Sequence, residues 1–291
     1  MSRHKIRKRR LTFILFLFIL GACICYYSSR PVNIYGTTGL KVHFIDVGQG
    51  DSILVESDGA FMLIDGGERD QAGIVAEYLR SQGVRSLTYL IGTHPHSDHI
   101  GGLIGIMEQF SAGTVIIPPV VHTTKTYEDF IDTIADRKLA VVKPVPGDSY
   151  SLGRSIFTII GPADREYGEL NNYSVGIRLA FGSTSFLMCG DTEAEGEDDM
   201  LKSGMKLSAD VLKISHHGSA TGTGEAFLKA VSPRYAIISC GQNNPYHHPA
   251  RSTLDLLEQL KISCYVTMNR GTITISSDGQ NINIKTEKEP N

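Results

Sequence analysis

Thr93-His94-Pro95-His96-Ser97-Asp98-His99 places three imidazoles and a carboxylate within six consecutive residues. The apolar run before it, residues 87–92, reads as a buried strand. The run after it, 100–110, reads as a helix, so the cluster is expected in a loop at a strand's C-terminal end. In an extended segment side chains alternate with a period of two, so His94 and His96 can approach one metal from the same side. Asp98 and His99 are adjacent, point differently and suit a second metal nearby. Neutral imidazole and carboxylate are good ligands for Zn, Mn and Fe.

Further candidates stand at other strand ends. Cys189-Gly190-Asp191 closes an apolar strand, and the Asp191 carboxylate is placed to lie between two metals. Thr192-Glu193-Ala194-Glu195 has the capping-box pattern that opens a helix, with Thr192 as the expected cap. Lys213-Ile214-Ser215-His216-His217-Gly218-Ser219 brings two more histidines, and His247-His248 precedes Pro249, so that seven of the ten histidines fall in three such clusters. Asp65, at the end of Leu63-Ile64-Asp65, is expected to orient a ligand histidine.

Outward from these clusters, short β-rich runs alternate with amphipathic helical ones. Strands are expected at 40–48, 51–57, 60–67, 87–93, 140–145, 155–161, 209–217 and 234–241, with hairpins at 173–191 and 271–287. Helices are expected at 72–83, 100–110, 126–138 and 252–261. Both halves follow the same rhythm. Two mixed sheets packed face to face with helices outside give an α+β fold, a four-layer αββα sandwich.

The chain has 291 residues, 41% of them hydrophobic, and a net charge of -3. That charge conceals an asymmetry. Residues 1–30 carry seven Lys/Arg and no acid, which leaves 21 bases against all 31 acids and a net of -10 in the remainder. An acidic body argues against broad non-specific binding to a nucleic-acid backbone, though not against phosphate chemistry at one point. The basic residues 2–10 followed by the uncharged run 11–27 read as a signal anchor, and Leu20-Gly21-Ala22-Cys23 resembles a bacterial lipobox. Uncleaved anchor, lipoprotein and released forms all place the domain outside the cytoplasm. The expected organisation is an anchor or lipoprotein signal at 1–30, a linker at 31–39 and one globular domain at 40–287. Cys189, Cys240 and Cys264 are odd in number and widely spaced, which excludes a disulfide scaffold.

The order DGG, H-x-H-x-D-H, GD and HHGS resembles the metallo-β-lactamase fold superfamily. Val47-Gly48-Gln49-Gly50-Asp51-Ser52, Asn171-Asn172 before Tyr173-Ser174, and the His248-Pro249 step look like the extracellular hydrolase domain of ComEC-type competence proteins. The resemblance implies that His94 and His96 bind metal one, that Asp98 and His99 bind metal two, that Asp191 bridges them, and that His217 or His216 completes the second site. Many superfamily members supply one more histidine to metal one where this chain has Asn171-Asn172, a departure that can shift metal preference from Zn toward Mn. In contrast to ComEC-type proteins, one N-terminal apolar segment and no multi-span channel are expected.

The implied chemistry is attack by a hydroxide activated between two divalent ions. Asp98 or Asp191 is expected to steer the proton. His248, His216 and Lys213 are expected to donate to substrate oxygen or to the leaving group, with Ser219 and Lys213 suited to phosphate oxygens. The favoured reading is an extracytoplasmic phosphodiesterase or nuclease-like enzyme acting on a phosphodiester, with DNA or a wall polymer as the anionic partner. Two others stay open: a lactone, thioester or β-lactam hydrolase, and a non-enzymatic surface-binding protein with a vestigial site.

Overall fold

Alternation of apolar and polar residues divides the chain into two sheets in a computed structural model that describes residues 39–289. The N-terminal segment read as an anchor, residues 11–27 included, lies outside the described residues. Among the described residues no helix is long and apolar enough to cross a membrane.

The first half supplies β1 (Leu40–Phe44), β2 (Ile53–Ser57), β3 (Ala60–Ile64), α1 (Ala72–Ser81), β4 (Ser86–Ile91), α2 (Ser97–Gln109), β5 (Ser111–Ile116), α3 (Lys125–Asp136) and β6 (Ala140–Val142). The second half supplies β7 (Ser149–Leu152), β8 (Ser155–Gly161), β9 (Gly176–Phe181), β10 (Thr184–Met188), α4 (Ala194–Lys202), β11 (Val211–Lys213), α5 (Glu225–Val231), β12 (Tyr235–Ile238), α6 (Arg251–Gln259), β13 (Ser263–Val266) and α7 (Thr267–Arg270). The terminal hairpin, β14 (Ile273–Ser277) and β15 (Ile282–Thr286), returns to the first sheet beside β1.

The first sheet runs β15-β14-β1-β2-β3-β4-β5-β6 and the second β13-β12-β11-β10-β9-β8-β7. In each, one half is antiparallel and the other parallel: β3 to β6 in the first, β10 to β13 in the second. The parallel halves need helical crossovers, which cover the outer faces.

Three cores follow. Val42, Phe44, Ile53, Phe157, Leu179 and Phe186 fill the space between the sheets. Leu63, Leu79, Leu90, Leu103 and Phe130 pack α1, α2 and α3 on the first sheet, and Leu187, Leu212, Phe227, Leu228 and Leu257 pack the later helices on the second. This is the expected four-layer sandwich. Each core strand buries large apolar side chains, worth roughly 1.5–3 kcal/mol apiece.

Three strands escape the sequence reading: β5, β7 and β13. Expected strands are also shortened, the 209–217 run most of all, to Val211–Lys213. Beyond Lys213 the backbone turns, and His216 and His217 both adopt left-handed conformations, with φ of 51° and 52°. The metal-ligand run is not all loop either. Ser97, Asp98 and His99 form the first turn of α2, with His96 as its N-cap residue.

Candidate metal centre

The C-terminal ends of the parallel strands converge on one cleft. β4 leads through a bend at His94 and Pro95 to His96 in extended backbone, and α2 then starts and turns Asp98 and His99 onto a different side. The close fit of α2 against the DGG turn requires glycine: a Cβ on Gly102 would sit 1.9 Å from the Gly66 carbonyl oxygen. That contact lets Gly66 N–H donate to the His99 carbonyl at 2.7 Å. Asp191 leaves β10, and His217 follows β11 through the left-handed turn; such backbone, costly for a non-glycine residue, concentrates at functional sites.

Asp191 Oδ2 is the centre of the arrangement. It lies 3.2 Å from His99 Nε2, 3.3 Å from His217 Nε2 and 4.0 Å from His94 Nε2. Asp98 Oδ2 lies 3.2 Å from His217 Nε2 and 3.9 Å from His99 Nε2. On the other side, His94 Nε2 and His96 Nδ1 are 3.0 Å apart. These contacts bring together six of the seven residues the sequence nominates, with Asp191 between the His94/His96 side and the Asp98/His99/His217 side.

The rings are held from behind. His99 Nδ1 donates to Asp65 Oδ2 at 2.8 Å, and Asp65 also accepts from the Thr93 backbone N–H and hydroxyl at 2.8 and 2.7 Å. His217 Nδ1 donates to the Ser239 carbonyl at 3.0 Å. Each ring therefore presents Nε2 to the centre, the orientation a metal ligand needs.

Three observations fit divalent cations to this donor set. His99 Nε2, His217 Nε2 and Asp191 Oδ1 are buried with no hydrogen-bond partner among the described residues. Asp51, His99, Asp191 and His217 each offer a ligand atom within 4.8 Å of the others. The local field also favours positive charge. Burial opposes protonation of His99 and His217, yet Asp191 and its fellow carboxylates win, holding His99 well above the usual imidazole range and His217 up to about 9. Burial likewise opposes the charged form of Asp191, but His217 and His99 keep it well below the usual carboxylate range. A divalent cation satisfies the same field and leaves the rings neutral for ligation.

Several expectations are corrected by the geometry. Lys213 does not reach substrate: it is wholly buried, with its ammonium against Asp51, because β11 alternation turns it to the inter-sheet face with Val211. His216 turns away from the centre, its Nδ1 3.0 Å from Glu193 Oε1, so His217 alone of the pair joins it. Ser219 Oγ pairs with Thr221 Oγ1 at 3.0 Å rather than facing the cleft. Thr192 does not cap α4; its hydroxyl donates to the Cys189 carbonyl. The cap comes from Asn172, whose Oδ1 accepts from Glu193 and Gly196 N–H, both at 3.0 Å. Asn171 donates to Glu193 Oε1 at 3.2 Å. Both asparagines thus support α4 and the Glu193 network.

The cleft, about 460 Å³, is lined by His96, Asp98, Asp191, His217 and His248 as expected, by His216, which reaches the cleft wall though not the centre, and by Gln49, Glu68, His122 and Tyr246, which the sequence does not single out. His122 adds a ring 6.0 Å from that of His96. Asp51 was passed over as well, although its Gly-flanked position in Gly48-Gln49-Gly50-Asp51 marks a strand-entry turn. A larger groove of about 750 Å³ along β1, β14 and α1 shares none of these residues, and among the described residues it holds no comparable ligand set.

Comparison with known proteins agrees with this geometry. Residues 45–242 match the Metallo-beta-lactamase superfamily. The chain is 30% identical over 251 residues to ComE operon protein 3 of Bacillus subtilis, covering 80% of this chain and 32% of that protein. It is 30% identical over 281 residues to Recombination protein 2 of Haemophilus influenzae, covering 95% of this chain and 33% of that one. The chain therefore spans about a third of the length of these curated relatives. Among solved structures, CmlA, a diiron beta-hydroxylase from Streptomyces venezuelae, superposes with a TM-score of 0.55 at 15% identity, over 81% of this chain and 53% of that one. The metallo-beta-lactamase fold protein YhfI from Bacillus subtilis gives 0.50 at 13% identity, over 78% of this chain and 95% of that one. These two likenesses speak for the fold alone. The competence-protein resemblance read from the motifs is borne out by these relatives together with Competence protein ComA of Neisseria gonorrhoeae, 32% identical over 210 residues, covering 71% of this chain and 28% of that one.

Proposed function

This chain belongs to the metallo-beta-lactamase superfamily, whose members are generally metal-dependent hydrolases, and on that premise we propose that it is an extracytoplasmic phosphodiesterase with nuclease-like activity. The observation that carries the reading is the placement of Asp191 Oδ2 between the His94 side and the His99/His217 side of one cleft. We assign His94 and His96 to one cation, Asp98, His99 and His217 to a second, and Asp191 to both, with Zn or Mn as the metal. Cations held there supply Lewis-acid polarisation and a water of lowered pKa, chemistry suited to in-line displacement at phosphorus.

The chain's own groups do the rest. Asp65 and the Ser239 carbonyl fix the ring orientations of His99 and His217. His248 lines the cleft and stays neutral, its pKa lowered to about 4 by burial and by His216 and His217. A neutral imidazole there offers a hydrogen bond to a phosphoryl oxygen without adding charge. The competence proteins among the relatives support a DNA-related phosphodiester as substrate. The basic residues 2–10 and apolar residues 11–27 support a tether to the membrane with the domain outside.

The test is hydrolysis of bis-p-nitrophenyl phosphate and single-stranded DNA with added Mn or Zn. Turnover is expected in the wild type and lost in His96→Ala and Asp191→Ala; activity surviving both changes overturns the reading. Nitrocefin or lactone turnover exceeding phosphodiester turnover reverses it in favour of acyl chemistry. A purified domain carrying well under one metal per chain favours a binding protein.

A further inference from the structure

Tyr246 is 64% exposed at the mouth of the cleft, on the loop between β12 and α6. The loop is not loose. The buried Asn244 side chain donates to the Gly241 and His248 carbonyls at 2.9 and 2.7 Å and accepts from His248 N–H at 2.9 Å. The Tyr246 ring lies nearly parallel to that of His248, at 5.6 Å and 25°. His248 in turn lies nearly parallel to His217, at 6.3 Å and 29°. Three rings thus step down from solvent to the centre itself, the first of them exposed.

The rest of the lining explains what such a face is for. Among the described residues lining the cleft there is no Lys or Arg. A cationic track along a polymer backbone, the usual means of gripping nucleic acid, is not built here. Base–aromatic stacking is the other means, and it is worth about 1–3 kcal/mol per base. A quaternary ammonium ligand would call for a cage of several ring faces. Among the described residues Tyr246 is the only Phe, Tyr or Trp of the lining, and the chain has no Trp.

We propose that Tyr246 is the specificity-determining residue of the cleft, stacking the flat base of a single-stranded nucleotide whose phosphodiester lies at the metal centre. The proposal rests on the phosphodiesterase reading and narrows its substrate to base-bearing single strands.

The experiment compares two probes on the Mn-loaded full chain: a thymidine pentanucleotide, and the same oligomer with its bases replaced by abasic tetrahydrofuran. The ratio of their kcat/KM values is expected to fall about 10- to 100-fold in Tyr246→Ala and to persist in Tyr246→Phe. A second readout uses a phosphorothioate-linked 2-aminopurine oligomer, which resists cleavage; its fluorescence is expected to be quenched by the wild type and Tyr246→Phe and not by Tyr246→Ala. An unchanged ratio in Tyr246→Ala, with both oligomers still cleaved, overturns stacking and leaves the phosphodiesterase reading intact. Tyr246-dependent quenching without any cleavage does the reverse. Choline displacing the 2-aminopurine probe as well as thymidine monophosphate does assigns the surface to quaternary ammonium ligands and overturns the proposal.

Discussion

The ammonium of Lys213 lies against the carboxylate of Asp51, with side-chain exposures of 0% and 1%. The pair sits behind the centre. Asp51 approaches the Nδ1 atoms of His217 and His99 at 3.7 and 3.9 Å, whereas Nε2 of both rings faces Asp191. Lys213 Nζ also lies 3.9 Å from Asp191 Oδ1. The ion pair therefore sets a fixed positive charge beside the carboxylates and holds Asp51 on the Nδ1 side of the two rings.

Removing one partner strands the other's charge in the inter-sheet layer, so Lys213→Met is expected to lower stability by about 3–5 kcal/mol. Replacing both, Lys213→Met with Asp51→Leu, is expected to recover most of that loss, since no unpaired charge remains. Urea unfolding of the singles and the double variant measures the cycle. A double variant no more stable than Lys213→Met would show that the pair does not act as a unit.

His216 and His217 are neighbours with opposite tasks. His217 Nε2 faces Asp98 and Asp191, whereas His216 contacts Glu193 and Thr221. If the proposed pair of ions is bound, His217→Ala is expected to lose one of them and His216→Ala to keep both. Elemental analysis of the purified variants decides it; equal metal loss from both would contradict the assignment.

The carboxylate of Asp65 sets the tautomer of His99 while also tying down the Thr93 backbone. Asp65→Asn keeps a hydrogen-bonding group but forfeits the charge. Metal affinity is expected to drop about 10- to 100-fold with the fold retained, as for other groups that hold ligand imidazoles. Chelator competition, with circular dichroism as the control for folding, checks both halves of that statement.

The sequence exposed the parts of this centre that are local. His94, His96, Asp98 and His99 share one strand-to-helix junction, and Asp191 and His217 close other strands, so proximity along the chain stood in for proximity in space. Lys213 was misread although its signal was present: it shares a strand face with Val211, which alternation places between the sheets. Asp51 is a lone acid in a glycine-rich turn, and its partner is far along the chain, so no local pattern reveals the pair. The choice between His216 and His217 depends on two left-handed residues in succession, which spacing does not encode. Thr192 fits a local capping pattern, but a tertiary contact from Asn172 took its place. β5 was passed over because Ser111-Ala112-Gly113-Thr114 dilutes the apolar signal of a strand.

Glu197 on α4 is buried, with Oε2 accepting the Gly224 N–H at 2.9 Å. Burial pushes its carboxyl from an ordinary 4.5 up to about 8. The folded state therefore holds a proton that the unfolded state releases first. Between these two values folding binds more protons than unfolding, so stability falls as pH rises, by up to about 1.4 kcal/mol per pH unit. The stabilising contribution is complete below the unfolded value and is lost as pH rises through the folded one. Glu197→Gln keeps a neutral side chain at every pH, so its advantage over the wild type is expected to grow from pH 5 to pH 8 and then level off. Urea midpoints for both proteins at one-unit steps test this, because every other titrating group cancels in the difference. A difference that stays constant across the series would mean that Glu197 is charged in the fold and balanced by a contact other than the Gly224 N–H.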